Sequence, residues 1–490
     1  MRSEKRRQGQ KDDIGAPGEP IQDPILSRIQ AGSDVEPDPE RLRKPEPVSG
    51  GEGATGGPPA GRTSIEEAKR RGPAGWLQLL GPGLITGASD DDPSGIGTYS
   101  QVGSQFGFGL LWMALFTFPL MAAVQELCAR IALHTGVGLS TSLRRRFPTW
   151  LVGICVLGLF VANTINAGAD LGAVAAGGSL LTRGTVRELW LLVPVAVGIV
   201  AMEVWLTYTT IFKVFKWLTV ALFAYVVTAV LSHPDLRQVL LSTAVPHFEP
   251  SKEFVTAIVA VLGTTISPYL FFWQASSEVD EMRAAGMRTE GARRGVKQSD
   301  LHAARVDIMT GMLFSNLVML AIMVTAAAVL HAHGKTDIGS ADEAAQALAP
   351  LAGQWAFVLF AAGMIGTGLL AIPILSGSAT YAVTDFFGWK GALADRPSYR
   401  PTFYLILGIA TVAGIAINLV GINPIRALFV TAIINGLVAP PLLILIILLG
   451  SSRQVMGKRR SGLLSQVLTW ITAAAMTAAA VALVVTWVVP

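Results

Sequence analysis

From about Trp76 onward the chain alternates long apolar stretches with short polar or charged segments. A bilayer core takes about 20 predominantly apolar residues per helix, so each stretch reads as a membrane span. The spans fall approximately at 77–106, 108–134, 149–181, 187–208, 211–232, 253–284, 306–333, 352–387, 401–420, 424–449 and 463–489. This pattern predicts an all-α polytopic membrane protein of about eleven helices. Two spans are interrupted. In the first, Ser89, Asp90, Asp91, Asp92, Pro93, Ser94 and Gly95 occupy the middle of the helix. In the sixth, the run from Gly263 to Gln274 reads GTTISPYLFFWQ. Proline removes a backbone donor and disfavours helix at the residue before it. Lipid satisfies neither open backbone groups nor lone charges, so both breaks must face protein or a water-filled cavity. Broken helices at corresponding positions of two five-helix halves are what an inverted-repeat transporter predicts. The expected organisation is a membrane domain over 72–490, with repeat one at about 77–232, repeat two at about 253–449 and an extra helix at about 463–489.

The chain has 490 residues, 51% hydrophobic and 15% charged, with a mean hydropathy of +0.50. One polytopic domain fits that profile better than several soluble ones. Residues 1–71 are different material, rich in Gly, Pro, Glu, Lys and Arg, and cannot bury enough apolar surface to fold alone. They are expected to form a disordered tail, with no apolar core like that of a signal peptide. Cys128 and Cys155 lie inside apolar runs and read as buried packing residues. A net charge of +4 gives little support to nucleic-acid binding.

The positions of the positive charges set an expected orientation. Arg144, Arg145 and Arg146 follow the second span, Lys213 and Lys216 the fourth, and Arg283, Arg288, Arg293, Arg294 and Lys297 the sixth. Lys390, Arg396 and Arg400 follow the eighth, and Arg453, Lys458, Arg459 and Arg460 the tenth. The alternate loops are poorer in Lys and Arg. The N-terminus is therefore expected in the cytoplasm and Pro490 outside, in a bacterial plasma membrane.

The chemistry sits at the breaks. The first offers the Asp92 carboxylate with backbone carbonyls near Ser89 and Gly95. The second offers the Thr264 carbonyl, the Ser267 hydroxyl and the Tyr269 hydroxyl. These are hard oxygens, with no methionine, histidine or cysteine in either break. Such sites suit magnesium, calcium or manganese, whereas sulfur and imidazole favour softer metals. The small residues Ser94, Gly95 and Ser267 leave room for the waters that magnesium sheds reluctantly. Further pathway candidates are Asp90, Asp91, Asn166, Asp170, Gln274 and Asn435. Asp90 and Asp91 could guard the mouth of the site or hold a water. Asn163, Asn166 and Asp170 share one helix face and either line a cavity or bond a neighbouring helix. Glu126 and Arg130 are spaced to pair. Glu278, Asp280 and Glu281 read as a solvated helix end, with an inner exit route as the alternative.

The run from Gly81 to Arg130, GPGLITGASDDDPSGIGTYSQVGSQFGFGLLWMALFTFPLMAAVQELCAR, resembles the opening of the Nramp divalent-metal transporters. Asp92, Pro93, Ser94 and Gly95 stand at that family's DPGN, and Gly103 to Trp112 match its AGAQFGYxLLW-like run. Gly263 to Tyr269 occupy the places of GATxMPH, and NPIRALFVTAIINGLVAPP from Asn423 matches the tenth helix. The resemblance implies a leucine-transporter-type fold with helices 1 and 6 broken, and Asp92 as the metal carboxylate. The departures matter as much. Gly95 replaces the asparagine, Ser267 the methionine, Tyr269 the histidine after the proline, and Gln274 a second histidine. The tenth-helix glutamine aligns with Ala432, one turn from Asn435. Asp170 stands for a third-helix glutamate of the proton-coupling pair, whose aspartate position falls near Ala167. This pattern is similar to the Nramp-related magnesium transporter branch.

The resemblance and the donor set together predict a divalent cation transporter, for magnesium first and manganese second, without obligatory proton coupling. The partners expected are the metal ion and the lipid bilayer; no cofactor, nucleic acid or obligate protein partner is expected. Two alternatives remain: a proton-coupled manganese or iron importer, and an amino-acid transporter of the same fold. The second is disfavoured because acids at the break repel a substrate carboxylate. The chain has no HExxH, CxxC or GxSxG, so no enzyme is expected.

Overall fold

The computed structural model describes residues 81–205, 222–249, 251–295, 297–348, 353–389, 401–419, 421 and 423–488. The tail expected over 1–71 lies outside them, as do residues 206–221, at the end of the fourth span and the start of the fifth. Every regular element among the described residues is helical. The first span is two helices, α1 (Pro82–Asp90) and α2 (Pro93–Phe106). There follow α3 (Trp112–Thr135), α4 (Leu139–Arg144), α5 (Thr149–Leu181), α6 (Glu188–Trp205), α7 (Phe223–Leu231) and α8 (Leu236–Ala244). The sixth span is again two helices, α9 (Lys252–Thr265) and α10 (Pro268–Ala284). The remainder are α11 (Gln298–Val329), α12 (Ala356–Phe387), α13 (Pro401–Asn418), α14 (Pro424–Ser451) and α15 (Leu463–Val488). Among the described residues, 8 helices are long and apolar enough to cross a membrane.

Both breaks restart on proline at the first helical turn, where its missing N–H is no loss. Two differences from the apolar pattern have simple causes. Helix α11 begins at Gln298 rather than near 306, because its first turns are polar and the pattern marks only the apolar part. Helix α8 is too short and polar to register as a span; Asp235 caps it by accepting from the Arg237 and Gln238 amides.

The polarity is inside out for a water-soluble protein. Trp150, Ile154, Leu157 and Val161 recur along one face of α5 and are exposed, as are Leu405, Ile409 and Val412 on α13. Such apolar faces belong against lipid. Carboxylates lie inside instead, including Asp90, Asp91, Asp92, Asp170, Glu203 and Glu278. Cys128 and Cys155 are buried and free, and Glu126 pairs with Arg130 at 2.5 Å.

Helix α1 is fastened to α11. The Asp307 carboxylate accepts from the Gly81, Gly83 and Leu84 amides at 2.9, 2.8 and 3.0 Å, satisfying donors that a helix start leaves open. One turn on, a Cβ at Gly87 would strike the Gly311 backbone, so the two helices touch main chain to main chain.

The loops fall into two groups. Arg145, after the second span, bonds Glu290, after the sixth, at 2.7 and 3.0 Å. Arg459, after the tenth, bonds Gln298, and Thr141 bonds the Asp385 carbonyl at the end of the eighth at 3.0 Å. At the other end of α11, Asn423 reaches the Gly339 carbonyl at 2.8 Å and Ser104 the Lys335 carbonyl at 2.6 Å. Among the described residues, the basic loops after the second, sixth and tenth spans thus gather at one end of the helices; Lys213, Lys216, Lys390 and Arg396 lie outside the described residues.

Candidate metal site

At the first break the chain leaves the helix after Asp90 and re-enters at Pro93. Asp92 is extended, with φ −65° and ψ 172°, and caps α2: its Oδ1 accepts from the Gly95 amide at 2.6 Å. The cap costs Asp92 one oxygen and leaves the other, at a helix N-terminus that favours negative charge. That second oxygen, Oδ2, meets the Asn166 amide of α5 at 3.3 Å and the Tyr269 hydroxyl of α10 at 3.4 Å. The single hydroxyl proton of Tyr269 is better placed on the Ser89 carbonyl, at 2.7 Å. Oδ2 is therefore weakly served, and the Asn166 Oδ1 has no hydrogen-bond partner. A carboxylate oxygen, a carbonyl oxygen, a phenol oxygen and the side-chain amide of Asn166 thus converge. An acceptor-rich, buried point of this kind suits a hard cation.

The second break is closed on itself. Pro268 lacks the N–H that would reach the Thr264 carbonyl, and the Ser267 hydroxyl covers that gap, donating to the Gly263 and Thr264 carbonyls at 2.6 and 2.8 Å. Ser267 and Thr264 are thus bonded to each other, and neither is hydrogen-bonded to Asp92 or Ser89. Each carbonyl keeps a second lone pair. The second break reaches the first through Tyr269, whose own carbonyl is held by Ser378 of α12 at 2.9 Å.

The pathway candidates separate. Asn166 belongs to the convergence. Asp170, one turn further along α5, is buried with both oxygens unpartnered, within electrostatic reach of Asp92. Asn163 bonds Ser378 and the Leu375 carbonyl at 3.2 and 3.4 Å, so this one stripe both reaches the site and ties α5 to α12. Gln274 lies apart from Asp92, between Thr86 at 2.6 Å and Glu278 at 2.9 Å. Asn435 is buried with its Oδ1 unpartnered. Asp90 and Asp91 guard no mouth: both are 0% exposed. Asp90 accepts from Ser315 of α11 at 2.5 Å. Nor are Glu278 and Asp280 a solvated helix end. Both are buried: Gln274 donates to Glu278 at 2.9 Å, and Tyr381 of α12 donates to Asp280 at 2.6 Å.

Some participants escaped the sequence reading. Ser94, read there only as a small residue that leaves room, bonds the Leu428 carbonyl of α14 at 3.1 Å and stands 3.3 Å from Thr431. Ser315 and Thr431 are ordinary small polar residues, and nothing in the pattern marks them. Asp307 and Glu203 were detectable, because an acid inside an apolar span is a signal in itself; Glu203 accepts from Ser376 at 2.8 Å. Among the described residues no three His, Cys, Asp or Glu side chains surround a common point that could hold a metal ion. The candidate site is one carboxylate with neutral oxygens.

The profile of the family described as "Natural resistance-associated macrophage protein-like" matches residues 83–486. The chain is a member of the Nramp family. Nramp proteins are transporters, not enzymes, and this chain is an integral membrane member. It is 27% identical over 406 residues to the divalent metal cation transporter MntH of Pectobacterium carotovorum, covering 82% of this chain and 92% of that one. It is also 27% identical over 389 residues to the MntH of Aeromonas hydrophila, covering 79% and 90%. Among solved structures, the Eremococcus coleocola manganese transporter superposes with a TM-score of 0.64 at 16% identity, over 84% of this chain and 87% of that one. Mhp1, a nucleobase-cation-symport-1 family transporter, superposes with a TM-score of 0.53 at 15% identity, over 83% and 91%. At these identities the superpositions establish the fold. This Nramp chain is all-helical and has the two broken helices of that architecture.

Proposed function

We propose that this chain carries divalent metal cations across the membrane, magnesium first and manganese second, by alternating access and without obligatory proton movement. The observation that carries the reading is the meeting of Asp92 Oδ2, the Ser89 carbonyl, the Tyr269 hydroxyl and the Asn166 amide at the first break. Asp92, Ser89 and Tyr269 meet through oxygens and Asn166 through its side-chain amide, and Ser267, in place of the family's thioether, brings no sulfur to the break. One charged ligand among neutral ones holds a partly hydrated magnesium ion without trapping it. Thr264 and Gly95 supply further backbone oxygens around the two breaks, and Asn435 an amide oxygen from α14. The relatives named as divalent metal cation transporters support the class of cargo. With the basic loops in the cytoplasm, the N-terminus is inside and the C-terminus outside. The membrane potential alone then drives uptake, giving a divalent ion roughly 4–5 kcal/mol per 100 mV.

A second reading, proton-coupled manganese or iron import, is favoured by Asp170, an unpartnered acid beside Asp92. Uptake into proteoliposomes separates the two, with magnesium- and manganese-sensitive dyes inside and internal pH recorded in parallel. Magnesium entry that needs Asp92 and leaves internal pH unchanged is the expected result. Manganese entry with acidification and no magnesium flux would replace it with the second reading.

A further inference from the structure

The first break holds more negative charge than one divalent cation balances. Asp90, Asp91, Asp92 and Asp170 are each at most 1% exposed, and none is paired with a lysine, arginine or histidine among the described residues. They face two ways. Asp92 turns toward α5, through Asn166, and Asp170 lies on that helix. Asp90 turns toward α11, where it accepts from Ser315 at 2.5 Å. Its other oxygen and both oxygens of Asp91 are buried and have no hydrogen-bond partner at bonding distance among the described residues, with the Ser315 hydroxyl near enough to act on the Asp91 carboxyl as well. The Tyr99 hydroxyl, bonded to Thr265 at 3.1 Å, stands within electrostatic reach of both acids. An unpaired carboxylate buried from water is among the most costly arrangements a protein can hold, and the ordinary remedy is a counter-charge.

We propose that Asp90 and Asp91, with Ser315, form a second cation site, on the α11 side of the break, for a hard, oxygen-seeking metal cation bound beside the one at Asp92. The donors are carboxylate and hydroxyl oxygens, which select such ions over soft transition metals. Two divalent ions balance four carboxylates, so a second magnesium is the expected occupant; sodium has the same ligand chemistry. The inference rests on the reading of Asp92 as the first site.

The test uses the full chain in nanodiscs, stripped with EDTA. Magnesium is titrated in sodium chloride or in choline chloride, and bound metal and the unfolding temperature are followed. Wild type is expected to bind two magnesium ions per chain, or one with an affinity that changes on the order of tenfold with sodium. Asp91→Asn should keep one ion, lose the sodium dependence, and unfold at a higher temperature than wild type when no cation is present. Ser315→Ala, a smaller change that carries the comparison if Asp91→Asn does not fold, should weaken the second event severalfold. One magnesium per wild-type chain with no sodium dependence overturns the site. Stabilisation by acid alone, with no cation effect, overturns it too, since the pair then holds protons. Failure of the Asp92 reading looks different: Asp92→Ala would retain every bound ion and its transport.

Discussion

At the first break Pro93 restarts the helix behind an aspartate; at the second, Pro268 restarts it behind a serine. The backbone device is the same, and the side chain before the proline decides what each break can do. Asp92 turns forward, spends one oxygen on the Gly95 amide and leaves the other for partners on α5 and α10. Ser267 turns back and gives its hydroxyl to the carbonyls of its own helix. One break is left open and charged, the other healed and neutral. Among the described hydrogen bonds, the second broken helix reaches Ser89 and Asp92 through Tyr269, two residues past its break. An interrupted helix is thus not in itself a ligand set; the cap residue's direction makes it one.

The sharpest way to break this comparison is Asp92→Asn. The amide oxygen can still cap α2, so the fold is kept while the charge is lost. Divalent uptake should fall by more than about 100-fold, since losing even an outer partner of a metal ligand typically costs 10–100-fold. Uptake close to wild type would mean that the charge at the first break anchors nothing. Tyr269→Phe comes next. It removes the hydroxyl that joins Ser89 to Asp92, and metal affinity should weaken about tenfold. A calorimetric titration that finds unchanged affinity would leave the second broken helix without a part in the site.

The spans were legible because length and apolarity are sequence properties: the stretches at 149–181 and 463–489 appear as Thr149–Leu181 and Leu463–Val488. The breaks were legible because proline and consecutive aspartates inside an apolar stretch admit few other structures. Direction was not. Nothing in GTTISPY says that Ser267 folds back on Gly263 and Thr264, or that Tyr269 crosses to a carbonyl 180 residues away. Burial of polar helix ends was equally hidden. The run SSEVDEMR reads as a solvated end, yet Tyr381 of α12 covers Asp280, and Gln274 closes over Glu278. Such pairings are set by which helices become neighbours, and local pattern carries no record of that.

A smaller effect tests the healed break. Ser267→Ala strips the cover from the Gly263 and Thr264 carbonyls, which are buried. Leaving a buried acceptor unserved costs about 1–3 kcal/mol, so the unfolding temperature should drop while uptake changes by no more than about threefold. A large loss of uptake with little loss of stability would show that Ser267 acts on the ion rather than on its own helix.

The smallest effect concerns an acid whose charge is fully answered, in contrast with the first break. Outside the membrane spans, the Glu290 carboxyl accepts from Arg145 and Arg294. Hydrogen bonding to Arg145, before all, holds it at about 2, against an ordinary value of 4.5. The pair lies near the surface, with side chains 48% and 34% exposed, so its contribution is about 0.5 kcal/mol. Because the folded value is depressed, that contribution is complete above about pH 4.5 and is lost as pH falls through about 2. Glu290→Gln should therefore unfold slightly below wild type at pH 6, and the gap should close as pH is lowered toward 2. A gap undiminished at pH 2 would mean that Glu290 stabilises the loops by packing, and that paired and unpaired acids in this protein differ less than their surroundings suggest.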